Sequence, residues 1–318
     1  MPTLPMHTIT LPATATERAL PQLLPLLNAA EEACEITLDF KNVRFYYPHA
    51  IVILLARCRY WINHGKRVNL SNYTECPAST YLRRIDFFSM LGIPVEDGFH
   101  RHDANGRFVC LKHIQLRDNN VDSIAREVAE CLASENWELQ ECLKYAIGEI
   151  ITNVAQHSCG EGYLYAQRYQ ESSMVHFAVA DTGIGLKASF EGTELEASLD
   201  TDLKALEKAL EPEVSSALLR PPTGPYGQYV NRGIGLSMVN EIGRQTYGRM
   251  YVSTGNAYFL RIGDTSAHFE ENDDLYHPGV LVDLHLNTDE IDNFEQIITE
   301  VRNVVTPSEL DNWDELFE

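Results

Sequence analysis

Apolar and polar positions along the first hundred residues switch repeatedly between a two-residue and a helical period. Thr8 to Leu11 and Ile36 to Val43 read as strands, whereas Leu20 to Leu27 repeats at helical spacing. A helix is expected from Pro48, whose fixed φ suits a first turn, to just before Gly65. A short strand at Arg67 to Leu70 follows, then a helix from about Pro77 to Leu91 closed by Gly92 and Pro94. The order is that of a small α/β domain over residues 1–97. Asp97 to Gly106, polar and holding two glycines, marks its boundary.

Beyond that boundary a strand and a helix near Asp122 to Leu132 precede a longer helix over Leu139 to Ser158, apolar at Leu139, Leu143, Ile147, Ile150 and Val154. Met174 to Asp181 alternates through Val175, Phe177 and Val179 as a half-buried strand, and another apolar-periodic helix runs through Val239 and Ile242. These elements predict a second α/β domain over 107–288. The remaining stretch, 289–318, holds ten acidic residues and one arginine, with a stripe at Ile291, Phe294, Ile298, Val301 and Val305. A docked acidic helix and tail are expected there.

The formal charge of −21 over 318 residues argues against nucleic acid and anionic lipid as main partners, since phosphate contacts need clustered cations. The longest wholly apolar run, Ile51 to Ala56, is too short to span a bilayer. Met1 to Arg18 lacks the basic-then-apolar pattern of a signal peptide, so a cytoplasmic protein is expected. No two of the seven cysteines make a C-x-x-C pair, which indicates neither a zinc knuckle nor a disulfide framework. His100, His102 and Asp103 are metal-ligating types, but no second ligand pair accompanies them.

Three stretches carry candidate chemistry. Glu149, Asn153 and His157 recur every four residues, a stripe on the flank of the helix's buried face that can look into a cleft. Asp181 ends a strand and is followed by Thr182-Gly-Ile-Gly185: a carboxylate there accepts from an exocyclic amine, and glycines let backbone approach a flat ring. Asn231-Arg-Gly-Ile-Gly-Leu236 opens a helix, where unpaired N–H groups and the helix dipole suit phosphate. In this order and separation, the motifs over roughly Glu138 to Leu286 resemble the GHKL family of ATP-binding domains, the Bergerat fold shared by DNA gyrase and histidine kinases.

The resemblance implies a two-layer α/β sandwich, a mixed sheet with helices on one face, and ATP with Mg²⁺ as ligands. It implies that Asn153 coordinates Mg²⁺ and that Glu149 is the general base. Asp181 would take the adenine amino group, Gly183 and Gly185 would shape the pocket, and Gly233 and Gly235 would present backbone N–H groups to the phosphates. Residues 187–232 would form the ATP lid, from which Lys187, Arg220 and Arg232 could reach phosphate. The family's third motif, a Gly-Thr before the last strand, is present only as Pro278-Gly-Val280, without the threonine.

The first ninety residues resemble STAS domains, the interaction modules of anti-anti-sigma factors. They depart from that pattern at Tyr46-Tyr47-Pro48-His49-Ala50, where phosphorylatable members carry a serine. Together the resemblances imply a signalling protein that binds ATP to regulate a protein partner, with a homodimer as one arrangement. An ATPase switch, an anti-sigma-type serine kinase and a non-catalytic ATP-binding module are the competing forms. A sensor histidine kinase is disfavoured because no helical hairpin bearing a phosphorylatable histidine precedes Glu149.

Overall fold

The computed structural model describes residues 5–17, 19–94, 104–115, 120–212, 214, 234–264 and 266–306. The chain begins with β1 (Met6–Thr10), β2 (Thr14–Ala15), α1 (Ala19–Asn28), β3 (Glu35–Asp39), β4 (Phe45–Tyr46), α2 (Pro48–Asn63), β5 (Arg67–Ser71), α3 (Ser79–Arg84) and α4 (Phe87–Met90). β1, β3 and β5 form a parallel sheet in that order, as strands joined by helical crossovers must, and β2 pairs with β4 in a short parallel ribbon.

Two elements differ from the expected ones. The strand beginning at Ile36 stops at Asp39, whose carboxylate accepts from the Lys41 N–H at 3.0 Å and from Asn72 at 2.7 Å and so turns the chain. The helix expected over 77–91 is split into α3 and α4 because Asp86 between them lies at φ +67°, a conformation no helix interior takes.

The second region contains β6 (Phe108–Ile114), α5 (Val121–Ala133), α6 (Trp137–His157), β7 (Gly162–Tyr169), β8 (Met174–Asp181), α7 (Gly185–Ser189) and α8 (Asp202–Ala209). It continues with α9 (Gly235–Gln245), β9 (Arg249–Gly255), β10 (Ala257–Ile262), β11 (Ser266–Glu271), β12 (His277–Asn287) and α10 (Phe294–Val305). Among the described residues its strands form one seven-stranded sheet, ordered β11-β10-β9-β12-β8-β7-β6. Every pairing in it is antiparallel, where a mixed sheet was expected. Short connections join β7 to β8 and β9 to β10 to β11, which forces antiparallel neighbours, and β12 enters between β8 and β9 antiparallel to both.

Helices were expected on one face of this sheet; the region's own α5, α6, α9 and α10 share one face, and the first hundred residues cover the other. Leu164, Val175, Phe177, Val179, Val252, Val282 and Leu284 pack in one core with α5, α6, α9 and α10. Tyr163, Tyr165, Ala178, Ala180, Tyr251 and Leu281, on the opposite face, share a core with the first hundred residues. The layer on that side is α2, which packs on β7, β8 and β12 and, on its other flank, on β5. From Ile51 to Ala56 every residue of α2 is buried, the mark of a helix enclosed on all sides. Each large apolar side chain there contributes roughly 1.5–3 kcal/mol of transfer free energy.

Polar contacts fix the same junction. Buried Arg57 of α2 donates to Glu31 at 3.2 Å, to Asn28 at 3.0 Å and to the Tyr276 carbonyl at 3.1 Å, so the guanidinium ties α1 to the segment entering β12. The Tyr81 and Tyr165 hydroxyls meet at 2.9 Å. At the far end, the acidic stretch forms α10, capped by Asn293 and docked through Ile298, Val301 and Val305; residues 307–318 lie outside the described residues. No helix among the described residues is long and apolar enough to cross a membrane. None of the seven cysteines is in a disulfide, and Cys58, Cys76 and Cys142 are buried.

Candidate functional site

Helix α6 is set by its ends and its stripe. The Asn136 side chain accepts from the Leu139 N–H at 2.9 Å, and Leu139, Leu143, Ile147, Ile150 and Val154 lie on the sheet. Its C-terminus is pinned to the exit of β8. The Ser158 carbonyl accepts from the Ile184 N–H at 2.8 Å, and a Cβ on Gly183 would come within 1.9 Å of that same oxygen. Gly183 is therefore required by the approach of two backbones and sits beneath the site, outside its lining.

Asp181, the last residue of β8, is 2% exposed. Its Oδ1 accepts from the Gly183 N–H at 2.7 Å. Burial pushes its carboxyl up to about 7, against the opposing pull of the Gly183 and Val280 N–H groups. The far side is closed by Gly279, where a Cβ would lie 2.3 Å from the Asp181 carbonyl oxygen and 2.4 Å from Oδ1. Next in the chain, Gly185 begins α7 at φ +76°, and the Leu186 N–H donates to the buried Thr254 hydroxyl at 3.0 Å.

Glu149 faces the start of α9. A Cβ on Gly235 would lie 2.2 Å from Glu149 Oε2, so only glycine leaves room for the carboxylate at that helix N-terminus. Burial pushes Glu149 up to about 7. A carboxyl group that titrates near neutrality, one helical turn from the Asn153 amide, is suited to accept a proton at physiological pH.

A partly open cleft lies between these elements. Its apolar walls include Ile150, Val154, Val179, Leu186, Val280 and Val282, and its polar groups include Asn153, His157, Ser158 and Asp181. Asn153, Asp181, Gly185 and Gly235 thus line one space although they come from three separated stretches of chain, with Glu149 held behind Gly235. Gly233 lies outside the described residues, as do Arg220 and Arg232 and the cluster His100, His102 and Asp103.

The first part of the 187–232 segment is folded against the sheet. Phe190, Leu199 and Ala205 form a small core, and the Asp202 carboxylate accepts from the Asn256 N–H at 3.2 Å. Phe190, Ala209 and Val214 make one wall of the cleft, while Lys187 is exposed and outside its lining.

Two positions here escape a reading of the sequence. Gly279 was visible only as an incomplete motif, yet it is the close neighbour of Asp181. The other is Thr254 of β9, whose hydroxyl accepts from the Leu186 N–H beside Gly185. A threonine followed by glycine at a strand end was the available signal. No model of a known protein family matches the chain, and no curated protein matches it.

Proposed function

We propose that this cleft binds Mg²⁺–ATP and that the bound nucleotide governs contacts with a protein partner, as in GHKL-type signalling proteins. The observation that carries the reading is Asp181: a buried carboxylate at the floor of an apolar slot, with glycines where side chains would crowd it. Such a floor accepts a hydrogen bond from the adenine amino group, and the apolar walls suit the flat faces of a purine. Asn153 and the start of α9 at Gly235 lie where phosphates would follow, the amide oxygen offering Mg²⁺ a hard ligand and the helix N-terminus favouring anionic charge. Bound Mg²⁺ would supply charge neutralisation at the phosphates. Glu149 would take the proton from an attacking water or from a partner's serine hydroxyl, giving slow hydrolysis or phosphoryl transfer.

Calorimetric titration tests the binding step. ATP with Mg²⁺ should give saturable heat, and GTP should bind at least about tenfold more weakly, because guanine turns a carbonyl oxygen toward the carboxylate where adenine offers a donor. No heat at millimolar nucleotide would end the proposal. Following γ-labelled ATP then separates its forms: free phosphate marks a switch, labelled protein a kinase, and retained ATP a binding module.

A further inference from the structure

On the face of the sheet turned away from the cleft, four side chains from three elements converge: His49 from α2, His176 from β8, and Asp283 and His285 from β12. His176 and His285 are directly opposed across the β8–β12 ladder, with ring centroids 3.6 Å apart. One ligand atom from each of the four lies within 4.8 Å of all the others. His49 Nδ1 is 3.3 Å from Asp283 Oδ2 and 3.4 Å from His176 Nε2, and His285 Nε2 is 3.3 Å from Asp283 Oδ2. A tetrahedral centre with bonds of 2.0–2.1 Å separates its donors by ~3.3 Å, the spacing seen on these three edges.

The outer contacts decide what the inner nitrogens can be. His49 Nε2 lies 3.0 Å from the Thr16 carbonyl, which only accepts, so Nε2 carries the hydrogen and a neutral His49 turns its Nδ1 lone pair inward. A cation between His49 Nδ1 and the Asp283 carboxylate would find a ligand atom on either side. An imidazole oriented by a carbonyl on its other nitrogen is the usual outer support of a metal ligand. His176, 1% exposed, sets its Nε2 2.5 Å from Asp283 Oδ1, and among the described residues its Nδ1 has no hydrogen-bond partner. His285, at 13% side-chain exposure, gives the cluster its opening to solvent.

We propose that His49, His176, Asp283 and His285 form a binding site for a first-row divalent transition metal of the zinc class. Imidazole and carboxylate donors without thiolate suit Zn²⁺ and its neighbours. Four protein ligands leave no open position, so the ion is structural: it staples α2, from the first hundred residues, to the two central strands of the large sheet. The turn into α2, Tyr47 followed by Pro48 and His49 of the helix's first turn, thereby delivers a ligand, and Tyr47 packs edge-on against His176 with ring centroids 5.2 Å apart.

The full chain, stripped with chelator and kept free of nucleotide, is titrated with Co²⁺ and separately with Zn²⁺. One Co²⁺ per chain is expected, with the intense visible absorption of a four-coordinate ion, displaced by Zn²⁺, and with a higher melting temperature for the loaded protein. His49→Gln and His285→Gln should each weaken Co²⁺ binding at least about 100-fold, since loss of outer-sphere support alone costs 10–100-fold. Their far-UV circular dichroism should stay as in the wild type; His285→Gln, at the solvent-exposed rim, covers the case in which His49→Gln fails to fold. Asp181→Asn should bind Co²⁺ as the wild type does. Only trace uptake, a weak six-coordinate spectrum, or undiminished binding by the folded variants would overturn the site and leave a hydrogen-bonded network around a protonated histidine.

Discussion

Two aspartates, buried to nearly the same extent on opposite faces of one sheet, behave in opposite ways. Asp181 is 2% exposed and Asp283 is 1% exposed, and burial raises the carboxyl of each. For Asp181 only backbone N–H groups oppose burial, and its carboxyl stands near 7. For Asp283 the surrounding imidazoles of His176, His49 and His285 outweigh burial and hold the carboxyl well below its ordinary range. Burial alone therefore does not decide what a carboxylate can do. Asp181 retains unmet hydrogen-bonding capacity toward an open cleft, where a ligand's amine can meet it, whereas Asp283 is already enclosed by the imidazoles of His49, His176 and His285.

The contrast can be broken one face at a time. Glu149→Gln should lower phosphate release or transfer by about 10²–10⁴-fold while leaving the calorimetric ATP affinity nearly unchanged. A loss of affinity would instead make the carboxylate a binding group. Asp181→Asn should weaken ATP by roughly 100-fold, the cost of losing a charged hydrogen bond and leaving a polar group mismatched. Gly279→Ala forces a methyl group against the Asp181 backbone, and should cost ~1–3 kcal/mol in urea unfolding and displace the carboxylate enough to lose ATP. Unchanged stability and affinity would mean that β12 yields easily at that point.

The smallest effect is a pH slope. Folded Asp181 keeps its proton to about pH 7, while its unfolded reference is 3.8, so the folded state binds the extra proton in between. The stability this group contributes is complete below about pH 3.8 and is lost as pH rises toward 7. Wild type minus Asp181→Asn, measured by urea unfolding across that window, should decline with rising pH and then level off. A rising difference would show Asp181 ionised in the fold.

The cleft was largely legible in the sequence and the opposite face was not, for a physical reason. Glu149 and Asn153 share a helix turn, and Asp181, Gly183 and Gly185 are near neighbours, so local spacing reveals them before the chain folds. His49, His176 and Asp283 are separated by more than a hundred residues at each step; only the docking of α2 and the β8–β12 register bring them together. The antiparallel sheet was hidden likewise, since strand alternation reports burial and not pairing direction. Asp86 split an expected helix because an aspartate can take the left-handed conformation that apolar periodicity does not announce.

The placement of β12 bears on how the molecule comes into being. The middle of the sheet is supplied by its last strand, so during synthesis β8 and β9 must wait, each with an unpaired edge, until residues through Asn287 have left the ribosome. Pairings so distant along the chain form slowly. The cleft floor and the histidine cluster are then completed in a single late event, and a chain lacking β12 has neither.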